Sequence, residues 1–141
     1  MTTSPICVDA SLLLRLFIPH ESGASVHALW HRWLAEHRIF VAPKLLFYEV
    51  TNALHQYARH GILTDEEAQQ ILQKVIRLDI ALIENPYIHQ RALQMAQIAS
   101  LKATYDAHYL AVAEQAHAEF WTADARLVKN VGSKWPWVHG V

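Results

Sequence analysis

Ile6-Cys7-Val8-Asp9-Ala10-Ser11 is a short apolar run that ends on a carboxylate and two small residues. An unbroken apolar run of this length reads as a strand buried on both faces. The strand takes in Ile6 to Asp9. Ser11 then opens a short helix over Leu12 to Ile18, stopped at Pro19. Working outward, the same strand-then-helix unit recurs. Glu21 to Glu36 reads as a helix with Val26, Leu29, Trp30, Trp33 and Leu34 on one stripe. Ile39 to Ala42 is a second strand. Pro43 suits the first turn of a helix that reaches about His60 and stops before Gly61. Its apolar side carries Leu46, Val50, Ala53, Leu54 and Tyr57.

Thr64-Asp65-Glu66-Glu67 has the form of a capping box and opens a helix to about Arg77. Ile80 to Ile83 is a third strand, and Pro86 opens a helix to about Ser100. Thr104-Tyr105-Asp106 starts another, with Leu110, Val112 and Ala113 packing inward. Phe120 to Thr122 is the next strand, followed by a short helix and a last strand near Trp137-Val138-His139. Trp135-Pro136-Trp137 reads as hydrophobic closure. Strands alternating with helices predict an α/β fold with a central parallel sheet and helices on both faces. The expectation is a single domain over residues 1–141.

Composition narrows the class. The chain has 141 residues, 52% of them hydrophobic, with only 4 Gly and 5 Pro, which suits a compact core and excludes a fibrous or disordered chain. The formal charge of −1 gives no basic signature and counts against a large electrostatic footprint on DNA or RNA, while leaving room for a small, metal-centred site. Cys7 is the only cysteine, so no intrachain disulfide forms; its apolar setting reads as buried and inert. No apolar stretch is long enough to span a bilayer and no signal peptide is visible, so a cytoplasmic protein without membrane association is expected. The ten histidines are scattered. His27 and His31, four apart on a helix, lack a third zinc ligand and read as solvated.

Four carboxylates stand in or beside apolar runs: Asp9 after Ile6-Cys7-Val8, Glu49 before Val50, Asp106 before Ala107, and Asp124 after Phe120-Trp121-Thr122-Ala123. Acids are costly in such places unless partnered. Taken singly, Asp106 and Asp124 are equally at home as helix caps. Gathered together, the four would repel one another and call for protons or cations. A cluster of hard oxygen donors suits Mg²⁺ or Mn²⁺, and metal-assisted phosphodiester chemistry follows from it. Asp9 and Asp124 sit at C-terminal strand ends, where parallel sheets bind ligands. Asp65 and Glu66 are accounted for by the dipole of their helix.

The order of Asp9 in "VDAS", Glu49 in "YEVTNAL", Asp106 in "TYDAHYLAVAE" and Asp124 in "WTADARL" resembles the PIN-domain ribonucleases, most of all the VapC-type toxins of toxin–antitoxin modules. The likeness runs from Ile6 to about Val138. It implies a three-layer α/β/α fold and Mg²⁺- or Mn²⁺-dependent endoribonuclease activity, with Asp9, Glu49, Asp106 and Asp124 as the acidic site. Ser11, Asn52 and Thr122 match supporting polar positions. The resemblance further implies an RNA substrate, a cognate antitoxin and a homodimer. Many relatives carry a further acid shortly after the fourth aspartate. Here Ala125, Arg126, Leu127 and Val128 fill that stretch. Arg15, Lys44, Arg126 and Lys129 are the cations nearest the motifs and the candidate RNA contacts.

Two other readings stand beside this one. A doubly wound phosphatase with an aspartate nucleophile would carry a second acid two residues on, where this chain has Ser11, and no Gly-rich phosphate loop is present. A PIN-like binding module without activity would keep the fold and lose the acids. Trp30, Trp33, Leu45, Leu46 and Phe47 suit either core packing or a partner surface.

Overall fold

The computed structural model describes residues 3–18 and 23–141. Pro19, His20 and the start of the second helix at Glu21 lie outside the described residues. The chain runs β1 (Ile6–Val8), α1 (Ala10–Phe17), α2 (Gly23–Ala35), β2 (Phe40–Pro43), α3 (Leu45–Arg59), α4 (Asp65–Ile76), β3 (Ile80–Ile83), α5 (Pro86–Ile98), α6 (Tyr105–Gln115), β4 (Glu119–Thr122), α7 (Ala125–Val131) and β5 (Val138–Gly140). The five strands form one all-parallel sheet in the order β3-β2-β1-β4-β5. This is the α/β/α arrangement expected from the alternation.

Burial follows position in the sheet. The inner strands β1 and β2 are buried at every residue, while the edge strand β3 is partly exposed. Helices α1 to α4 pack among themselves, and α5 packs on α6. With right-handed crossovers, the two groups cover opposite faces of the sheet. Helix α6 lies across β1, β2 and β4 and buries Ala107, Tyr109, Leu110, Ala111, Val112 and Ala113. Trp30, Trp33 and Leu46 are core residues rather than a partner surface, and Leu45 and Phe47 pack partly buried against that core. Trp30 stacks on Phe40 at 4.5 Å between ring centroids, and Trp33 meets Trp121 edge-on at 5.5 Å. Trp135 is buried beside Trp137, as the closure reading requires.

Several boundaries differ from the sequence reading. Strand β1 ends at Val8, and Asp9 itself caps α1 by accepting from the Leu12 amide, so the helix begins at Ala10 and not after Ser11. Pro43 ends β2 instead of opening α3; a strand's last residue loses little by lacking an N–H. Leu34, placed on the buried stripe of α2, is half exposed because it lies at the margin of that face. The capping box at Thr64 and Glu67 is present with both of its hydrogen bonds. Gly61 follows α3 at φ 73°, the left-handed conformation expected of glycine just past a helix end.

Candidate active site

Sheet order decides where the acids meet. From β1 the chain moves toward β2, and from β4 it moves toward β5, on the other side. The crevice between the C-terminal ends of β1 and β4 is therefore the switch point at which parallel sheets bind ligands. Asp9 follows β1 directly, and Asp124 lies two residues past β4. Helix α6 leads into β4 through a tight turn and runs antiparallel to it, which brings Asp106 in its first turn to the same edge. Helix α3 leaves β2 at that edge and carries Glu49 one turn in. Four separate elements thus supply the four acids.

Asp9 is the most enclosed of them, at 5% exposure. Its Oδ1 accepts from the Ser11 hydroxyl at 2.7 Å and the Leu12 amide at 3.1 Å. Its Oδ2 accepts from the Thr122 hydroxyl at 2.5 Å. Ser11 in turn accepts from the Ala123 amide and Thr122 from the Asp124 amide, each at 3.0 Å. The two hydroxyls therefore join the β1 end to the β4 end through Asp9. A carboxylate offers about four acceptor positions, so one stays open, on Oδ2. Burial pushes the Asp9 carboxyl from 3.8 up to about 6; the Thr122, Ser11 and Leu12 hydrogen bonds pull it back, and the charge of Asp106 pushes it up further.

Asp106 is half-buried, and among the described residues nothing donates a hydrogen bond to its carboxylate. Burial raises its pKa first, followed by the charges of Asp124 and then Glu49. These couplings connect all four acids: Asp9 with Asp106, and Asp106 with both others. Glu49 accepts from the Tyr109 hydroxyl at 2.6 Å through Oε1, leaving Oε2 clear of that bond. Burial, and then Glu49, drive the Tyr109 phenol far above its ordinary range, so it stays a donor. Asp124 is exposed, and its Oδ1 caps α7 by accepting from the Arg126 and Leu127 amides. Capping and site membership are compatible here, since Oδ2 is left over.

Supporting residues divide. Ser11 and Thr122 belong to the network, whereas Asn52 is exposed on α3 and lines a shallow apolar depression with Phe47, Tyr48, Thr51 and His55. Lys44 and Arg126 are exposed at the same sheet edge, Lys129 is exposed one turn along α7, and Arg15 is half-buried on α1. Cys7 is fully buried, its thiol pushed up by burial and then by Asp9, and it meets the Tyr109 carbonyl at 3.7 Å. Sequence reasoning missed Tyr109. Its signal was a phenol within the buried apolar run of α6, three positions after Asp106.

The donor set suits a hard divalent cation: carboxylate oxygens only, one of them without a hydrogen-bond donor and repelled by its neighbours. Among the described residues, no three acidic, histidine or cysteine side chains are placed to ligate one ion as they stand. No helix among the described residues is long and apolar enough to cross a membrane.

Comparison with known proteins places the chain. The family model of the PIN domain matches residues 6–132. Ribonuclease VapC3 of Pyrobaculum aerophilum is 30% identical over 128 residues, covering 89% of this chain and 93% of its own. The crystal structure of PAE2754 from Pyrobaculum aerophilum superposes with a TM-score of 0.67 at 28% identity, covering 90% of this chain and 84% of that one. A toxin–antitoxin complex from Klebsiella pneumoniae superposes with a TM-score of 0.66 at 18% identity over 95% of each chain, a likeness of fold. The chain belongs to the PIN-domain family.

Proposed function

We propose that this protein is a metal-dependent endoribonuclease that uses Mg²⁺ or Mn²⁺ and serves as the toxin of a type II toxin–antitoxin pair. The observation that carries the reading is the convergence of Asp9, Glu49, Asp106 and Asp124 from four elements at the switch point, with Asp106 electrostatically coupled to the other three. The relative named Ribonuclease VapC3 supports RNA as substrate and an antitoxin as partner. A homodimer and one domain over residues 1–141 complete the proposal.

Asp106, Asp124 and the open position on Asp9 Oδ2 would hold one cation, directly or through water, and Glu49 would hold or orient a second. When bound, Mg²⁺ or Mn²⁺ supplies charge neutralisation at the phosphoryl oxygens and a more acidic water. Ser11 and Thr122 keep the Asp9 carboxylate oriented and partly ionised. Tyr109 aims Glu49. Asp124, fixed by two amides of α7, stands at the open rim where a substrate backbone enters. With water as nucleophile, the products carry a 5′-phosphate and a 3′-hydroxyl.

The test is cleavage of a panel of structured and single-stranded RNAs with Mg²⁺, Mn²⁺ or EDTA, with Asp9→Asn and Asp106→Asn alongside. Metal-dependent cutting that both variants lose is the expected result. A 2′,3′-cyclic phosphate product contradicts the mechanism. The alternative is a PIN module that keeps the fold without activity. Failure of the wild type both to cut RNA and to bind Mn²⁺ would select that reading.

A further inference from the structure

Outside the acidic site, Glu84, His89, His108 and Thr104 form a chain that joins the loop after β3, helix α5 and the first turn of α6. His108 Nδ1 lies 2.7 Å from the Thr104 carbonyl oxygen, and His89 Nε2 lies 2.8 Å from Glu84 Oε2. Both partners are acceptors only, so each of these outer nitrogens carries the proton. The inner nitrogens, His89 Nδ1 and His108 Nε2, are then both lone-pair nitrogens, and they face each other at 3.0 Å. Two lone pairs at that distance repel unless a proton lies between them or a metal ion bridges them from the side.

We infer that His89 and His108 form a second cation site, a two-histidine platform on which a borderline transition-metal ion such as Zn²⁺ binds with solvent as its remaining ligands, separate from the acidic site. Metal-binding histidines characteristically donate their other ring N–H to a carboxylate or a backbone carbonyl, and Glu84 and Thr104 fill those two roles. The bite also fits: nitrogens 3.0 Å apart, each at ~2.05 Å from a zinc ion, subtend about 94° at the metal, between square and tetrahedral values. Imidazole nitrogens suit Zn²⁺, Cu²⁺ or Ni²⁺ and are poor ligands for Mg²⁺, so chemistry separates the two sites. The His89 side chain is 54% exposed, which leaves room for solvent to complete the coordination. An ion here would staple α5 to the first turn of α6, the turn that carries Asp106.

The experiment is zinc titration of the full chain against a chromogenic zinc indicator in excess Mg²⁺, which occupies carboxylates and leaves imidazoles free. The wild type should take up one equivalent that His89→Gln and His108→Gln each lose. Glu84→Ala should weaken it roughly tenfold by releasing the His89 ring. Saturating Zn²⁺ should raise the wild-type melting temperature by roughly 5 °C and leave His89→Gln unmoved. His27→Gln/His31→Gln, which removes the exposed pair on α2, should keep the equivalent. No zinc uptake by folded wild type, or uptake lost only in the α2 double variant, overturns the inference and leaves a proton in the gap. Neither outcome bears on RNA cleavage.

Discussion

Asp9→Asn isolates the electrostatic cost of the site. In the folded chain, burial pushes the Asp9 carboxyl from 3.8 to about 6. The folded state holds this proton more tightly than the unfolded chain does. Its stabilising contribution is therefore fully present below about pH 4 and is lost as pH rises through about 6. A difference of roughly 2 pK units amounts to about 3 kcal/mol at neutral pH. The amide variant carries no such charge, and the bonds to Leu12, Ser11 and Thr122 can be kept, with its second N–H facing the open position. Its oxygen accepts from Leu12 and Ser11, and its NH₂ donates to Thr122 Oγ1. The Thr122 proton then turns to Ser11 Oγ, 3.2 Å away. Urea denaturation of both proteins in EDTA, from pH 3.5 to 8, tests this. The variant should gain on the wild type through the window from about pH 4 to 6 and lead by up to ~3 kcal/mol at pH 8, roughly 10 °C in melting temperature. Asp106 gives both curves a slope of its own, so the difference between them is the quantity to read. A difference that stays flat from pH 4 to 8, or a metal-free wild type that is the more stable at pH 8, refutes the argument.

The remaining expectations concern the same network. Mn²⁺ should raise the wild-type melting temperature more at pH 8 than at pH 5, because protons and cations compete for the same oxygens; equal shifts at the two pH values would count against binding at the acids. Ser11→Ala removes a hydrogen bond that holds the Asp9 carboxyl down, so the acid limb of the cleavage–pH profile should move upward, which initial rates between pH 5 and 8 would show. Tyr109→Phe deletes the donor to Glu49 and should cost about 1 kcal/mol of stability. Its kcat/KM should fall more than its melting temperature suggests if the hydroxyl aims Glu49.

Much of the fold was legible because its signals are local. The capping box at Thr64, Pro86 at the start of α5, and the apolar runs at Ile6 and Ile80 each act within a few residues of themselves. The ends of α2 and α5 were read to within two residues, but the backbone turn that closes three helices was not legible. His37, Ser100 and His117 adopt left-handed backbone just past α2, α5 and α6, at φ 55°, 53° and 52°, with no glycine to announce the turn. Backbone hydrogen bonds close each turn, Arg38 N–H to the Trp33 carbonyl, Leu101 N–H to Ala96 and Ala118 N–H to Ala113, against local preference. The Asp9 boundary was misread for a related reason: its side chain serves as cap and as site at once, and only the Leu12 amide and the Thr122 hydroxyl together reveal both.

By itself, the sequence determined that strands alternate with helices, that the sheet is parallel, and that four acids stand at costly positions, since periodicity, punctuation and burial preference are written residue by residue. The tertiary structure alone decided what those acids touch. Asp9 and Thr122 are 113 residues apart in the chain, and Glu49 and Tyr109 are 60 apart. Sheet order brings such pairs to one edge, and no local rule encodes it. The same holds for His89 and His108, two ordinary helix histidines until the packing of α5 on α6 brings their ring nitrogens to 3.0 Å.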